Sequence, residues 1–486
     1  MNEFNGNIFW QNIWEQLQYD PTAPMIFSSG LFWVLFILFI PVYAMLKRSR
    51  WQMIVFVVLF SLYFYYKSSG LFFLMLLGTS LVDWLVSRWM AKLRGQRARI
   101  ALMWTSIILS LSILGYFKYA NFFLWNWNAM VGANFQPLDI ILPVGISFYT
   151  FQSISYVVDV YKRKIGPTRT WLEYLFFLSF FPALVAGPIV RADYFLPQLE
   201  KNKSATTAEI WGGLWLIIIG IFKKAIVADY ISQYNDLIFN DPSLYTGVQT
   251  LMGVLGYTMQ IYCDFSGYSD MAIGIAAIWD FDLGKNFNLP YLAENPSDFW
   301  RRWHISLSSW FRDYVYIPLG GSRRGKLRTY VNLFITMVLS GLWHGANATY
   351  LVWGAYHGLG CVIHRLLGKR GSQKTPWQTA LCTAANCLFV SAGWVIFRAD
   401  SMAQAMAVFS GLFRGDGICY INVFVVIYGL VIALTHLYAR FRLDGNAPTA
   451  RLALDTFRGK LLLCVWVFLI AMLMYCGNSA FIYANF

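Results

Sequence analysis

The chain has 486 residues, of which 58% are hydrophobic, 19% aromatic and only 13% charged, and its formal net charge is +14. This composition excludes a soluble globular protein. Because a membrane-spanning helix needs about 20 mostly apolar residues and such runs recur along the sequence, we predict an all-α, polytopic membrane protein.

Residues 1–24 precede the first long apolar run and lack the basic and apolar regions of a cleavable signal peptide. Their apolar side chains recur at helical spacing on one face, comprising Phe9, Trp10, Ile13, Trp14 and Leu17. We expect residues 1–24 to form an N-terminal, extracytoplasmic amphipathic segment in the membrane interface, and residues 25–486 to form a single membrane domain. An unstructured tail is the alternative for the first segment.

Apolar runs of spanning or near-spanning length follow, some of them too short or too polar to cross a bilayer alone. They cover residues 27–46, 51–66, 71–90, 100–116, 140–160, 170–190, 208–228, 246–262, 264–280, 330–343, 346–364, 378–397, 419–438 and 460–480. Polar groups are frequent within 143–195 and 257–358. Such groups are costly in hydrocarbon, so these two regions hold the functional candidates.

The distribution of the basic residues argues against a nucleic-acid-binding protein. Lysine and arginine cluster in short connections at 47–50, 91–99, 161–169, 323–328, 365–374 and 440–460. The connections at 117–139, 67–70 and 398–418 are poor in basic residues. The positive-inside rule therefore predicts that the basic connections are cytoplasmic and that the amino terminus lies outside.

The stretch ENPSDFWRRWHISLSSWFRDYVYIPLGGSRRGK, residues 294–326, combines aromatic and charged residues. Asn295 is a candidate N-cap and Pro296 fits the first helical position. One continuous helix from here would align a polar stripe of Arg301, His304, Ser308 and Arg312. This helix is too polar to cross lipid unshielded, so we expect it to lie flat or re-enter and to line a cavity near the cytoplasmic side.

Histidines are the candidate catalytic groups, and the chain has His304, His344, His357, His364 and His436. The sequence has no metal-binding spacing, nucleophile elbow or phosphate-binding loop, which leaves general acid–base chemistry. His344 lies between small residues and tryptophans in an apolar segment, where a general base or a structural hydrogen bond between helices both fit. For His304 the structural alternative is an interfacial anchor, and we expect packing or interface roles for the other three.

Two further groups of polar residues have alternative interpretations. The arginines between 301 and 324 suit either an anionic donor, such as a pantetheine phosphate or a carrier-protein surface, or anionic lipid headgroups. The polar groups of residues 257–274 suit an acceptor passage or, as we favour, contacts between helices. Without CxxC pairs or regular spacing, the cysteines are expected to be small buried hydrophobes, namely Cys263, Cys361, Cys382, Cys387 and Cys464.

Longer motifs go beyond what composition and spacing indicate. NPSDFWRRWHISLSSWFRDYVYIPLGG and the later LSGLWHGANATYLVWGAYHG closely resemble the signature of the membrane-bound O-acyltransferase (MBOAT) family, in its bacterial alginate O-acetyltransferase-like branch. ILPVGISFYTFQSISYVVDVY at 141–161 and FFPALVAGPIVRADYFLPQL at 180–199 also look like this branch. Residues 1–24 look like an extension of the usual pattern.

The resemblance implies a ring of about eleven transmembrane helices with re-entrant or horizontal helices and a central funnel. It places the essential histidine of the family on His344 and the second one on His304. We expect the substrate to contact a set of nearby residues, namely Arg301, Arg312, Asp313, Trp343 and Asn347. No metal and no permanently bound cofactor is implied.

The function implied is acyl transfer, with an acetyl group the expected cargo. The donor would be an acyl thioester, either acetyl-CoA or an acyl carrier protein, that approaches from the cytoplasm of a bacterium. The acyl group would then pass across the inner membrane to a hydroxyl of an exported polysaccharide or to an extracytoplasmic partner transferase. His344 would be the general base. Alternatives are peptidoglycan acetylation, D-alanylation of teichoic acid and, from another class, a transporter or flippase, against which the lack of an inverted repeat speaks.

Overall fold

The computed structural model describes residues 6–27, 29–201, 204–368, 375–442 and 456–473. Regular structure in these ranges is helical, apart from an isolated β-bridge between Tyr245 and Ile418. The all-α class predicted from composition is therefore confirmed.

The helices of the described ranges are numbered in chain order. The first ten are α1 Gly6–Leu17, α2 Gly30–Leu46, α3 Arg50–Ser69, α4 Phe73–Lys92, α5 Gln96–Leu114, α6 Ala120–Val131, α7 Ile146–Tyr161, α8 Trp171–Ser179, α9 Phe181–Leu184 and α10 Ala192–Phe195. The others are α11 Thr207–Ile221, α12 Asp229–Asn240, α13 Gly247–Ile278, α14 Pro296–Arg302, α15 Ile305–Phe311, α16 Lys326–His344, α17 Ala348–Leu366, α18 Pro376–Arg398, α19 Met402–Gly411, α20 Val423–Arg442 and α21 Phe457–Leu473. Wider, π-helical turns lie at Gly115–Tyr119, Phe222–Ala228 and Arg312–Tyr316.

Several of these helices are suited to a bilayer. Within the described ranges, four helical stretches are long and apolar enough to cross a membrane: Arg50–Lys92, Gln96–Val131, Thr207–Asn240 and Pro376–Arg398. Shorter apolar helices lie at Gly30–Leu46, Val423–Tyr438 and Gly459–Ile470. The chain is thus a multi-pass membrane protein, in agreement with the sequence.

Three of the apolar runs do not each form one separate helix. The runs 246–262 and 264–280 form the single helix α13, whose 32 residues extend about 48 Å at 1.5 Å per residue. The run 170–190 is interrupted, since α8 ends at Ser179 and Pro182 occupies the second position of the four-residue α9. A proline there lacks the N–H that would continue the ladder of helical hydrogen bonds.

The described chain divides into two compact units, Met1–Phe117 with Leu138–Asn202 and Lys118–Pro137 with Lys203–Phe486. In the first unit, the buried carboxylate of Asp83 links α4 by hydrogen bonds to three other helices. It accepts hydrogen bonds from Ser106 of α5 at 2.5 Å, Tyr174 of α8 at 3.3 Å, and Ser153 of α7. Hydroxyl donors replace the water that a carboxylate would otherwise need in an apolar interior.

Helix α1 belongs to the same unit. Its side chains Trp10 and Trp14 are exposed. Its carboxyl end is held by α3, because Lys67 donates to the carbonyl oxygen of Gln16 at 2.8 Å and Tyr63 to that of Leu17 at 3.0 Å. These contacts satisfy carbonyl groups that a helix end leaves unpaired.

In the second unit, the polar residues of α13 bind neighbouring helical segments. The ammonium of Lys224 lies 2.7 Å from carboxylate oxygens of both Asp229 and Asp264, and Lys223 lies 2.6 Å from Asp270. Because buried charges are tolerated when they are paired, these contacts support the interhelical interpretation of residues 257–274.

Helices α16 and α17 form a hairpin that approaches very closely. A Cβ atom added at Gly341 would lie 2.2 Å from the carbonyl oxygen of Tyr350, and one added at Gly354 would lie 2.5 Å from that of Met337. Only glycine permits this backbone contact, which fixes the end of α16 against the start of α17.

The expectation of buried cysteines holds for only part of the set. Cys263 and Cys361 are buried, and Cys382 and Cys387 are partly exposed. Cys464 is exposed on α21, so the prediction was wrong for this residue, because α21 directs that side of the helix away from the protein. An apolar run does not reveal which of its faces is turned toward lipid.

Candidate active site

The segment that carries His304 begins as predicted. Asn295 caps α14, its side-chain oxygen accepting from the backbone N–H of Asp298 at 2.9 Å, and Pro296 occupies the first turn. Asp298 also pairs with Arg302 one turn later, at 3.0 Å. The local signals in the sequence are sufficient for this start because capping depends on neighbouring residues only.

The predicted continuous helix with its polar stripe is wrong. Helix α14 ends at Arg302, and His304 has a left-handed backbone with φ of 42° before α15 begins at Ile305. The cause lies in a distant segment. The backbone N–H of Asn288 donates to the carbonyl oxygen of Arg302 at 2.9 Å. The backbone N–H of Ile305 donates to the main-chain carbonyl oxygen of Asn286, also at 2.9 Å. These two bonds replace the helical ones that would have crossed the break.

Asn286 also holds the His304 side chain, which is fully buried. Its oxygen Oδ1 lies 3.1 Å from Nδ1 of His304 and accepts from the Ser306 hydroxyl at 2.8 Å, while its Nδ2 donates to Ser269 at 3.0 Å. An amide oxygen accepts only, so Nδ1 of the ring carries the hydrogen and the neutral imidazole has its lone pair at Nε2. The ring of Phe265 packs edge-on against it at 4.6 Å.

Asn286→Ala is expected to lower acyl transfer about tenfold or more, because the variant loses the side-chain oxygen that orients the His304 ring and accepts from the Ser306 hydroxyl, while the backbone carbonyl that accepts from Ile305 remains. Transfer of labelled acyl groups by the purified protein measures the effect. Ser269→Ala is the matched control, since it removes only the outer bond of the Asn286 amide and should cost less than about threefold. Equal losses in the two variants would contradict a specific role of Asn286.

His344 is the last residue of α16 and is also buried. Its ring lies 4.9, 5.1 and 5.2 Å from those of Trp343, Trp353 and Phe397. The backbone becomes extended at Gly345, where an added Cβ would lie only 2.1 Å from the Tyr350 ring. Small size at residue 345 is therefore required for the chain to turn directly after the histidine.

The structure brings the two histidines to the same tryptophan. The ring of Trp343 lies 6.2 Å from that of His304 and 4.9 Å from that of His344. Both imidazoles and the indole are buried together. Two residues far apart in the sequence thus border one apolar layer, as a shared reaction site requires.

A cavity of about 590 Å³ lies on one side of this layer. Its lining comprises Ser297, Trp300, Arg301, Ser308, Phe311, Arg312, Tyr316, Leu333, Thr336, Met337, Ser340, Cys361, His364 and Arg365. The lining contains three arginines, a histidine and no carboxylate. Such a cavity attracts an anion.

Two lining residues of the cavity lie near His344. Ser340 is one turn before His344 on α16, which is about 6 Å along the helix axis. Trp300 of the lining lies 5.6 Å from Trp353, whose ring in turn contacts that of His344. Neither His304 nor His344 is among the lining residues, so the cavity does not reach either imidazole.

Of the predicted substrate-binding residues, two line this cavity and three do not. Arg301 and Arg312 line it, and Arg312 is bound to Asp313 at 2.7 Å. Trp343 lies between the histidines. Asn347 caps α17 and donates to the carbonyl oxygen of Asp400 at 2.8 Å, which gives this side chain an evident structural use away from the lining.

Comparison with known proteins places the chain in a family. The profile of MBOAT, the membrane-bound O-acyltransferase family, matches residues 168–402. The probable alginate O-acetylase AlgI of Pseudomonas aeruginosa is 38% identical over 397 residues, which are 80% of this chain and 75% of that protein. This chain belongs to the membrane-bound O-acyltransferase family. It is an O-acyltransferase, and a member of this family uses an activated acyl donor as co-substrate.

Relatives of this acyltransferase are named for different activities. The peptidoglycan O-acetyltransferase of Helicobacter pylori is 35% identical over 396 residues, covering 75% of each chain. The teichoic acid D-alanyltransferase of Bacillus subtilis is 29% identical over 290 residues, covering 56% of this acyltransferase and 73% of that protein. Both histidines of the candidate site lie inside the matched family region.

Sequence reasoning missed three residues of the candidate site. His364 and Arg365 were expected at an interface or in a basic connection, yet they complete the basic lining of the cavity. Asn286 gave no motif signal, although it organises His304. Residues 364 and 365 share the cavity lining with residues of α14, and Asn286 contacts the break after α14, which a scan for local spacing does not detect.

Proposed function

We propose that this membrane-bound O-acyltransferase moves an acetyl group from a cytoplasmic thioester to a hydroxyl of an extracytoplasmic polysaccharide or of a partner transferase, with His344 as general base. The observation that carries the proposal is the pair of buried imidazoles beside Trp343 at the end of a basic cavity. The family assignment favours this enzyme over a transporter or flippase.

The basic cavity is proposed as the donor site. Arg301 and Arg365 offer guanidinium groups to phosphates of coenzyme A or of a carrier-bound pantetheine, whereas Arg312 in the same lining is paired with Asp313. The cavity adjoins the basic end of the α16–α17 hairpin, which the positive-inside rule assigns to the cytoplasm of the bacterial inner membrane. The acyl end of the thioester would then extend past Ser340 toward His344.

In the proposed reaction, Nε2 or Nδ1 of His344 accepts the proton of the acceptor hydroxyl as its oxygen attacks the thioester carbonyl carbon. A carbon–oxygen bond forms, the carbon–sulfur bond breaks, and the leaving thiolate takes up the proton. The surrounding aromatic rings exclude water that would hydrolyse the thioester.

His304 is proposed to orient the substrates. Because its Nδ1 faces the Asn286 oxygen, Nε2 of the neutral ring is an acceptor. It therefore suits an N–H or O–H group of a substrate better than a developing oxyanion, which needs a donor.

Acetyl transfer is favoured over D-alanyl transfer because the acetylating relatives match more of this chain at higher identity. Whether the acceptor is an exopolysaccharide or peptidoglycan, the same hydroxyl chemistry applies. The test uses proteoliposomes loaded with acetylatable polysaccharide, to which acetyl-CoA, acetyl-acyl carrier protein or a D-alanyl carrier is added outside. Labelled O-acetyl ester supports the proposal, and labelled D-alanyl ester alone overturns it.

Addition of an extracytoplasmic transferase in the same assay separates direct transfer from a relay. In a relay, label first appears on the partner and reaches the polymer only when the partner is present. In direct transfer, the polymer is labelled without it. Label on neither polymer nor partner, with any of the three donors, contradicts the proposed function.

A further inference from the structure

Lys118 contacts the backbone immediately before His344, from a connection that is otherwise poor in basic residues. It lies in the π-helical turn Gly115–Tyr119 between α5 and α6. Turns of this kind cost stability relative to a regular helix and are often found at functional sites. Lys118 belongs to the same compact unit as α16 and α17.

Two neighbouring side chains of this turn bind the last carbonyl groups of α16. The ammonium of Lys118 donates to the carbonyl oxygen of Trp343, and the hydroxyl of Tyr119 donates to that of Leu342 at 2.7 Å. The Lys118 nitrogen also lies 5.5 Å from the centre of the Trp343 ring. The peptide group that accepts from Lys118 is the one that joins Trp343 to His344.

These contacts are strong ones by their chemistry. The carbonyl groups in the last turn of a helix have no helical partners, and a positive charge there interacts favourably with the helix dipole. Hydrogen bonds from charged donors are stronger than neutral ones, the more so away from water. The backbone directly after the contact is extended at Gly345, so helical bonding gives His344 no support on its carboxyl side.

We propose that Lys118 is a positioning residue for the acyl transfer, which fixes the Trp343–His344 peptide and thereby the direction of the His344 ring, with Tyr119 as its neutral partner. This inference rests on the proposed function. Since a reacting group displaced by about 1 Å can lose about a hundredfold in rate, the lysine acts on the chemical step although it is not assigned to a substrate.

The test compares Lys118→Met, Lys118→Arg and Tyr119→Phe in proteoliposomes with the labelled acetyl donor. Lys118→Met should lower kcat by about tenfold to a hundredfold while the KM for the donor changes less than about twofold. Lys118→Arg keeps a cationic donor and should recover a large part of kcat. Tyr119→Phe, which removes one neutral hydrogen bond, should lose less than about fivefold.

Lys326→Met is the matched control, since it removes an exposed lysine at the opposite end of the same helix. Rates are normalised to folded protein, determined by the thermal transition of each variant. An unchanged kcat in Lys118→Met, or a loss that arginine does not reduce, overturns the inference. His344→Ala is measured in parallel: if it is inactive while Lys118→Met is fully active, only this inference fails, and if it is active, the proposed base itself is wrong.

Discussion

His344→Ala is expected to lower the rate of acetyl transfer at least about a hundredfold, because a positioned general base contributes about 10² to 10⁴ to the rate. The acceptor hydroxyl would have to attack without losing its proton to the protein. KM for the thioester should change little, since the cavity lining does not include His344. The measurement is the initial rate of labelled ester formation in proteoliposomes.

Two variants make this result interpretable. His344→Gln fills most of the space between Trp343, Trp353 and Phe397 but cannot act as a base, so it should be as inactive as the alanine variant. His436→Ala is the matched control, because His436 is also buried but lies on α20, with its Nδ1 2.8 Å from the Ile432 carbonyl oxygen. Transfer within about threefold of wild type in both His344 variants would rule out this residue as the base.

Arg301→Glu is expected to raise the KM for the thioester donor about tenfold or more. Among the described residues no ion pair involves Arg301, so its charge is available to a ligand, whereas Arg312 is engaged by Asp313. A hydrogen bond to a charged group contributes about 1.5 to 3 kcal/mol, which corresponds to a factor of about 10 to 150 in affinity. Because the arginine does not adjoin His344, kcat should stay within about threefold.

The control for this charge reversal is Arg328→Glu, an equal change at an exposed position of α16 outside the cavity lining. Steady-state kinetics at two salt concentrations distinguishes donor binding in the cavity from attraction of the donor by the overall surface charge, since interactions between exposed charges are screened over about 10 Å at 0.1 M salt. A similar rise of KM in both variants, lost at high salt, would mean that donor binding depends on the net charge of this surface and not on the cavity.

Much of the candidate site could be predicted because its signals are local or chemical. The start of α14 depends on Asn295 and Pro296, which act on adjacent backbone groups. His344 could be identified as a candidate because an ionisable side chain inside an apolar membrane segment is energetically costly and is therefore often functional. The approach of His304 and His344 followed from the resemblance of two separate motifs to one family, not from the spacing of either.

The remaining features depend on contacts between distant parts of the chain. The break at His304 requires the backbone of Asn286 and Asn288, which competes with helical bonds that residues 301–312 would otherwise make. The basic cavity requires the last turn of α17 beside α14, which adds Arg365 to Arg301. Likewise, the continuity of α13 reflects ion pairs such as Lys224–Asp264, which make a polar stretch inside a helix tolerable.

The proposed role of His304, together with its left-handed backbone, sets activity against folding at one position. An L-residue with a side chain is less stable there than glycine by roughly 1 to 2 kcal/mol. The imidazole is thus retained at a place where the backbone alone would prefer the smallest residue. Selection for heat resistance should therefore favour glycine at residue 304, whereas selection for turnover should keep histidine. A library of variants at this residue, screened for both properties, would relate the stability gained to the turnover lost.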